Sequence, residues 1–276
     1  MNKQVPTHFL WLLSLGFLCT VTFAGDTSSY EVVAYSEVQW AKLNPARGEQ
    51  SPRASTLWGD RKGEVPTGFL AKFVDGFSSP PHIHNATYRA VVIHGLIHND
   101  DPAAAKMWMP PGSFWTQPKG ETHITAAKGP LNVALVEIDK GPYLVKPPEQ
   151  AFDSGERPIN MDPSNIVWVD LNGRHGRIPG VKVAYLWGSQ EGDQTNGMFL
   201  KLPAGFEGTL HSKASFRAVV ISGRLQYSDA TKKQLDPGSY FGATAERKHP
   251  ITALAESEVI LYTRADGAYQ VVDNTK

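Results

Sequence analysis

Tyr88-Arg89-Ala90-Val91-Val92-Ile93 returns 128 positions later as Phe216-Arg217-Ala218-Val219-Val220-Ile221. The echo runs in both directions. Trp40-Ala41-Lys42-Leu43-Asn44 is matched by Trp168-Val169-Asp170-Leu171-Asn172, and Leu57-Trp58-Gly59 by Leu186-Trp187-Gly188. Gly68 to Phe73 is matched by Gly197 to Leu202, Gly76-Phe77 by Gly205-Phe206, and Pro111-Gly112-Ser113 by Pro237-Gly238-Ser239. A nearly constant offset over so many short matches describes two tandem copies of one unit. Within the first copy the pattern predicts strands at Glu31 to Tyr35, Ser55 to Trp58, Gly68 to Phe73, His82 to His84, Tyr88 to Ile93, Lys106 to Met109, His123 to Thr125 and Asn132 to Ile138. About eight short strands in roughly a hundred residues fit an all-β double-sheet jelly roll, whose sheets can enclose a pocket; helix should be scarce. The seam falls in the Pro-rich stretch from Lys146 to Pro158, dividing the chain into 25–148 and 149–276.

Residues 1–24 read as a signal peptide. Lys3 is followed by an apolar run from Phe9 to Val21 and by Thr22-Phe23-Ala24, whose small residues suit a cut after Ala24. The run is shorter than the roughly 20 residues a membrane span needs, so export to the periplasm or outside the cell is expected rather than anchorage. The single cysteine, Cys19, lies inside this segment, which leaves the exported chain with no thiolate ligand and no disulfide. Without Lys3 the charge balance is 26 positive against 27 negative, and such a surface gives no electrostatic reason to expect nucleic acid as a partner.

The chemistry concentrates in His82-Ile83-His84. In an extended strand alternate side chains share a face, so both imidazoles point one way. A third, His123, arriving from a facing strand, would complete a set of nitrogen ligands that still leaves room on a metal for water or substrate. The competing reading is a pair of exposed or hydrogen-bonded histidines in the loop after Pro80-Pro81.

Gly76, His82, His84, Tyr88 and Gly95, separated by five, one, three and six residues, resemble the first signature motif of the cupin family. Pro110-Pro111-Gly112 with a downstream His123 resembles the second. The likeness covers both copies, and is nearest to secreted members similar to the cupin-like domain of zinc-binding anti-sigma factors and to the acetylacetone-cleaving dioxygenase. It implies two tandem cupin double-stranded β-helix barrels and one divalent ion, zinc, iron, manganese, nickel or copper, on His82, His84 and His123. An ion acquired outside the cytoplasm by imidazoles would favour copper or zinc on intrinsic affinity. Two positions depart from the family pattern. Tyr88 stands where most cupins have a ligating glutamate, and Trp115 where the second motif usually has its histidine. The second copy keeps His211 and His249 but has Ser212 and Lys213 in place of the third ligand, which reads as a degenerate site.

Around the histidines, Tyr88 is a packing residue, a ligand or a catalytic hydroxyl bonded to metal-bound water, and Glu121 is a base, a fourth ligand or a solvated charge. Gln117, Trp108, Met109, Phe114 and Trp115 are candidates for a pocket lining or for ordinary core. His94 and His98 fall beyond the motif and are not expected to ligate. Asn85-Ala86-Thr87 matches a glycosylation acceptor, which beside His84 reads as coincidence. The expected partner is a small molecule, and self-association is left open. Three functions remain: a metal-dependent oxygenase on a small enolisable compound, a non-catalytic metal-containing binding or sensing protein, and a metal-free barrel with relic histidines.

Overall fold

The computed structural model describes Met1 and residues 30–171, 178–189, 191–230 and 232–274, so residues 2–24 of the predicted signal lie outside the described residues. The described residues are strands joined by turns, with helix confined to four short 3-10 segments. No helix among them is long and apolar enough to cross a membrane.

Two seven-stranded antiparallel sheets carry the architecture. One runs Ile159–Met161, Phe114–Gln117, Tyr88–Asp100, Ile124–Ile138, Thr67–Phe73, Arg53–Trp58 and Ala41–Lys42. The other runs Tyr30–Val33, Tyr240–Ala243, Phe216–Ser222, Val259–Asp266, Thr195–Leu202, Lys182–Gly188 and Val169–Asp170. The order is the same in both, strand for repeated strand. Each sheet ends on a strand from the other side of position 148: Tyr30–Val33 pairs with Tyr240–Ala243, and Ile159–Met161 with Phe114–Gln117. A five-stranded sheet faces the second of these, and a two-stranded ribbon, Ile83–His84 with Val145–Lys146, belongs to the first repeat.

The repeated hydrophobic run is buried on both faces because each face has a different partner. Tyr88, Ala90 and Val92 point into the core of the first repeat with Phe69, Ala71, Ala134, Val136 and Ile138. Their neighbours Val91 and Ile93 point the other way, into a core shared with Val219, Ile221, Phe199 and Tyr262 of the second repeat. Phe216, Ala218 and Val220 then face the second repeat's own core. Period-two alternation therefore sorts residues between an inner core and a common wall. Tyr88 and the two motif histidines thereby come to share one interior.

Several strand boundaries differ from expectation. Tyr88–Asp100 continues past Ile93, because Gly95 at φ 77° lets the strand bend through two register shifts instead of ending. Its partner absorbs the same irregularity, so His123 to Thr125 and Asn132 to Ile138 are joined in one strand, Ile124–Ile138. Lys106 to Met109 forms no strand and contributes only the bridge from Met109 to Ile97, whereas Phe114–Gln117 does pair, on both sides.

Candidate metal centre

His82 and His123 face each other as a bridge pair, exchanging backbone hydrogen bonds of 3.0 Å in both directions. His84 follows on the ribbon strand, two residues on and on the same face. Gly120 makes room for this approach. Its N–H donates to His84 O, and a side chain there would collide with Phe152, whose own N–H donates to Gly120 O. The three imidazoles converge so that one ligand atom of each lies within 4.8 Å of the others, the only such group among the described residues. All three are shielded from solvent, at 9% exposure for His82, 3% for His84 and 1% for His123.

Each ring is held by its far nitrogen. His82 Nδ1 donates to Pro80 O (2.9 Å), His84 Nδ1 to Leu144 O (3.0 Å) and His123 Nδ1 to Glu121 O (3.2 Å). A carbonyl can only accept, so each Nδ1 carries the proton and each Nε2 keeps the lone pair by which an imidazole ligates. His123 Nε2 is buried with no hydrogen-bond partner, which is the orphan a ligating nitrogen leaves when its ion is not counted. Burial lowers all three imidazoles from their ordinary value: His82 modestly, His84 well below with His123 and His82 adding to the effect, and His123 to about 3. The cluster is therefore neutral at physiological pH, the form that ligates. The donor set fits a divalent ion.

His82 and His84 line a cavity of about 360 Å³ whose walls are mainly apolar, with Phe69, Phe73, Phe77, Tyr88, Trp115 and Tyr143 supplying aromatic surface. Behind it runs a buried polar network. Tyr88 Oη and Thr125 Oγ1 both donate to Asn99 Oδ1 at 2.8 Å, Asn99 Nδ2 donates to Gln117 Oε1 at 2.8 Å, and Gln117 Nε2 reaches Glu121 O at 3.3 Å. That last carbonyl also receives His123 Nδ1, so the network ends on the group that orients this imidazole.

Tyr88 thus sits beside the cluster, 5.3 Å from the His84 ring, with its hydroxyl committed to Asn99. Glu121 serves His123 through its backbone. The residue lines a separate depression with Phe152, Asp153, Glu156 and Arg157; its Oε2 is buried without a hydrogen-bond partner, and burial raises the carboxyl's pKa. Of the lining candidates, Trp115 borders the cavity, Gln117 belongs to the network, Met109 lies in the inner core, Phe114 in the shared core, and Trp108 packs on His98. His94 packs on Tyr35, and His98 is buried with Nδ1 toward Met107 O. Asn85 is occupied internally, donating to Pro142 O and accepting from Leu144 N at 2.8 Å each. In the second repeat His211 turns to Glu246 (2.9 Å), while His249 packs against Phe216 and Phe241 with Nδ1 on Tyr227 Oη (2.8 Å).

Sequence reasoning missed Tyr143 and the polar network. Tyr143 stacks on His84, centroids 4.3 Å apart at 16°, and donates from its hydroxyl to His84 Nε2 at 3.1 Å. It lies 59 residues from that histidine, and nothing local in Gly141-Pro142-Tyr143 announces the contact.

The all-β fold is of cupin type. The chain belongs to the family described as "Domain of unknown function (DUF4437)", which matches residues 31–272. No curated protein matches it. Among solved structures, a Nostoc punctiforme protein described as a "putative dioxygenase" aligns with TM-score 0.70 at 13% identity, over 90% of this chain and 87% of its own. Vicilin from hazelnut, Corylus avellana, aligns at 0.54 and 11% identity, over 88% and 87%. A variant of oxalate decarboxylase from Bacillus subtilis aligns at 0.52 and 14%, over 91% and 80%. These likenesses concern the fold.

Proposed function

We propose that the protein is an exported two-domain cupin in which His82, His84 and His123 hold one divalent metal ion, and that it acts as an oxygenase on a small, largely apolar, enolisable compound. The observation that carries this is the convergence of three neutral imidazoles, each fixed through Nδ1, two of which line an aromatic-walled cavity. A redox-capable ion bound there supplies Lewis acidity and electron exchange. No carboxylate joins the group among the described residues, so the ion keeps its full double charge and favours an anionic oxygen ligand such as an enolate. The chain's part is to hold the imidazoles apart from protons, to exclude water with Phe69, Phe73, Phe77 and Trp115, and to seat the apolar body of the substrate against them.

A second reading is a non-catalytic ligand-binding protein. It is favoured by the commitment of the Tyr88 hydroxyl to Asn99 and by the lack of a carboxylate in the cluster among the described residues, which leave the Tyr143 phenol as the acidic group in contact with the imidazoles. Iron-loaded protein incubated with 1,3-diketones in an oxygen electrode separates the two. Oxygen uptake above that of metal-free protein supports the enzyme. Diketone binding without uptake supports the second reading, and absence of any metal from protein isolated from its native compartment overturns both.

A further inference from the structure

We infer that the Tyr143 hydroxyl is the hydrogen-bond donor to an oxygen atom of whatever ligand, water or substrate, fills the open side of the three histidines. The inference rests on the metal reading above. Tyr143 donates to His84 Nε2, the nitrogen left for a metal because Nδ1 is committed to Leu144 O. A metal at Nε2 takes that acceptor away. Among the described residues the hydroxyl has no second partner, and a hydroxyl shut in a protein interior without a partner is costly. The nearest new acceptor is then the oxygen of a ligand beside His84.

The placement is built into the fold. Asn85 clamps the chain on both sides of Tyr143, donating to Pro142 O and accepting from Leu144 N. Tyr143 N donates to Arg61 O at 2.9 Å, and the next residues pair with Ile83–His84 as a ribbon. No other neighbouring hydroxyl is available for the task. Those of Tyr88 and Thr125 donate to Asn99, and that of Ser79 lies 3.4 Å from His82 Nδ1, on the far side of its ring. Tyr143 therefore selects ligands that present an oxygen acceptor next to His84, such as enolates and hydroxamates, over those that coordinate without one.

The test compares wild-type protein with Tyr143→Phe, which keeps the ring on His84. Both are loaded with cobalt(II) and titrated with acetohydroxamate, followed by the visible absorption of cobalt. The expected result is cobalt affinity equal within about threefold and acetohydroxamate affinity weakened about tenfold or more, the loss that follows removal of one hydrogen bond to a charged oxygen. Equal acetohydroxamate affinity in the two cobalt-loaded proteins overturns this inference alone. A tenfold loss of cobalt affinity with an altered spectrum before any hydroxamate is added also overturns it, since the phenol would then be a ligand. Failure of wild-type protein to bind cobalt overturns the metal reading and this inference together.

Discussion

Lowering the pH from 7.5 to 5.5 should leave the affinity of the three-histidine cluster for zinc almost unchanged. An imidazole in water titrates near 6.5, and the metal competes with that proton. Three such groups would each be about nine-tenths protonated at pH 5.5, and affinity would fall roughly a thousandfold across the window. Burial changes the competition here. It lowers His82, lowers His84 further and brings His123 to about 3, so the protons are already off before the ion arrives. The sign is definite: a depressed pKa means less proton competition, and affinity is held to lower pH. The expected loss is less than about tenfold. Competition against a chromophoric chelator, corrected for the chelator's own protonation, measures it. Calorimetry in buffers of different ionisation enthalpy gives an independent count. At pH 6 exposed imidazoles would release about two protons per ion, and the buried cluster fewer than one. A hundredfold loss by pH 5.5, or release of two protons, would show that the rings titrate as in water and refute the preformed, buried cluster.

Replacing His84 by Ala should lower metal occupancy tenfold or more after dialysis against limiting metal, as read by elemental analysis; unchanged occupancy would mean that other atoms hold the ion. The metal-free fold should be acid-labile. His123 and His249 take protons near 6.5 when unfolded but only near 3 when folded, so the unfolded state binds more protons between those values and stability falls as pH drops through them. At pH 5 the loss is about 2 kcal/mol for each residue, measurable as a lower urea midpoint than at pH 7; coincident midpoints would contradict it. Glu137→Ala should destabilise by about 3–5 kcal/mol in the same assay, because Arg89 and Arg264, both packed near the Trp187 ring, lose the buried carboxyl group they share. A cost below about 1 kcal/mol would show that Asp139 suffices for both.

What could be read from the chain, and what could not, divides by distance along it. The repeat at Tyr88 to Ile93 and Phe216 to Ile221 was legible because strand alternation is local, and the copies place their residues alike in inner and shared cores. The same alternation put His82 and His84 on one face, and the second-motif spacing brought His123 opposite. Tyr143 reaches His84 across 59 residues and Asn99 reaches Thr125 across 26, and such contacts exist only once the sheet register is set. Phe114–Gln117 was missed for a related reason. It pairs between Tyr88–Asp100 and Ile159–Met161, and no stretch of four residues carries that information. The exchange of edge strands across position 148 is likewise a property of the assembled sheets.

The contrast between the two repeats shows how little separates a candidate metal site from filled core on this scaffold. His123 and His249 occupy matching places, and burial lowers both to about 3. In the first repeat the proton of Nδ1 goes to a backbone carbonyl, which leaves Nε2 without a hydrogen-bond partner in a cluster with two further imidazoles. In the second, Tyr227 takes Nδ1, the rings of Phe216 and Phe241 both pack on the imidazole at 5.3 Å, and Ser212, where His84 would stand, bonds its own turn at Ala214. What the second repeat contributes instead is wall. Its Val219, Ile221, Phe199 and Tyr262 back the strands whose opposite faces line the cavity, and the linker strand Ile159–Met161 completes the sheet beside Trp115. A cluster accurate enough to present three lone pairs to one point needs strands that cannot shift, and a duplicated sheet packed back to back braces those strands from behind.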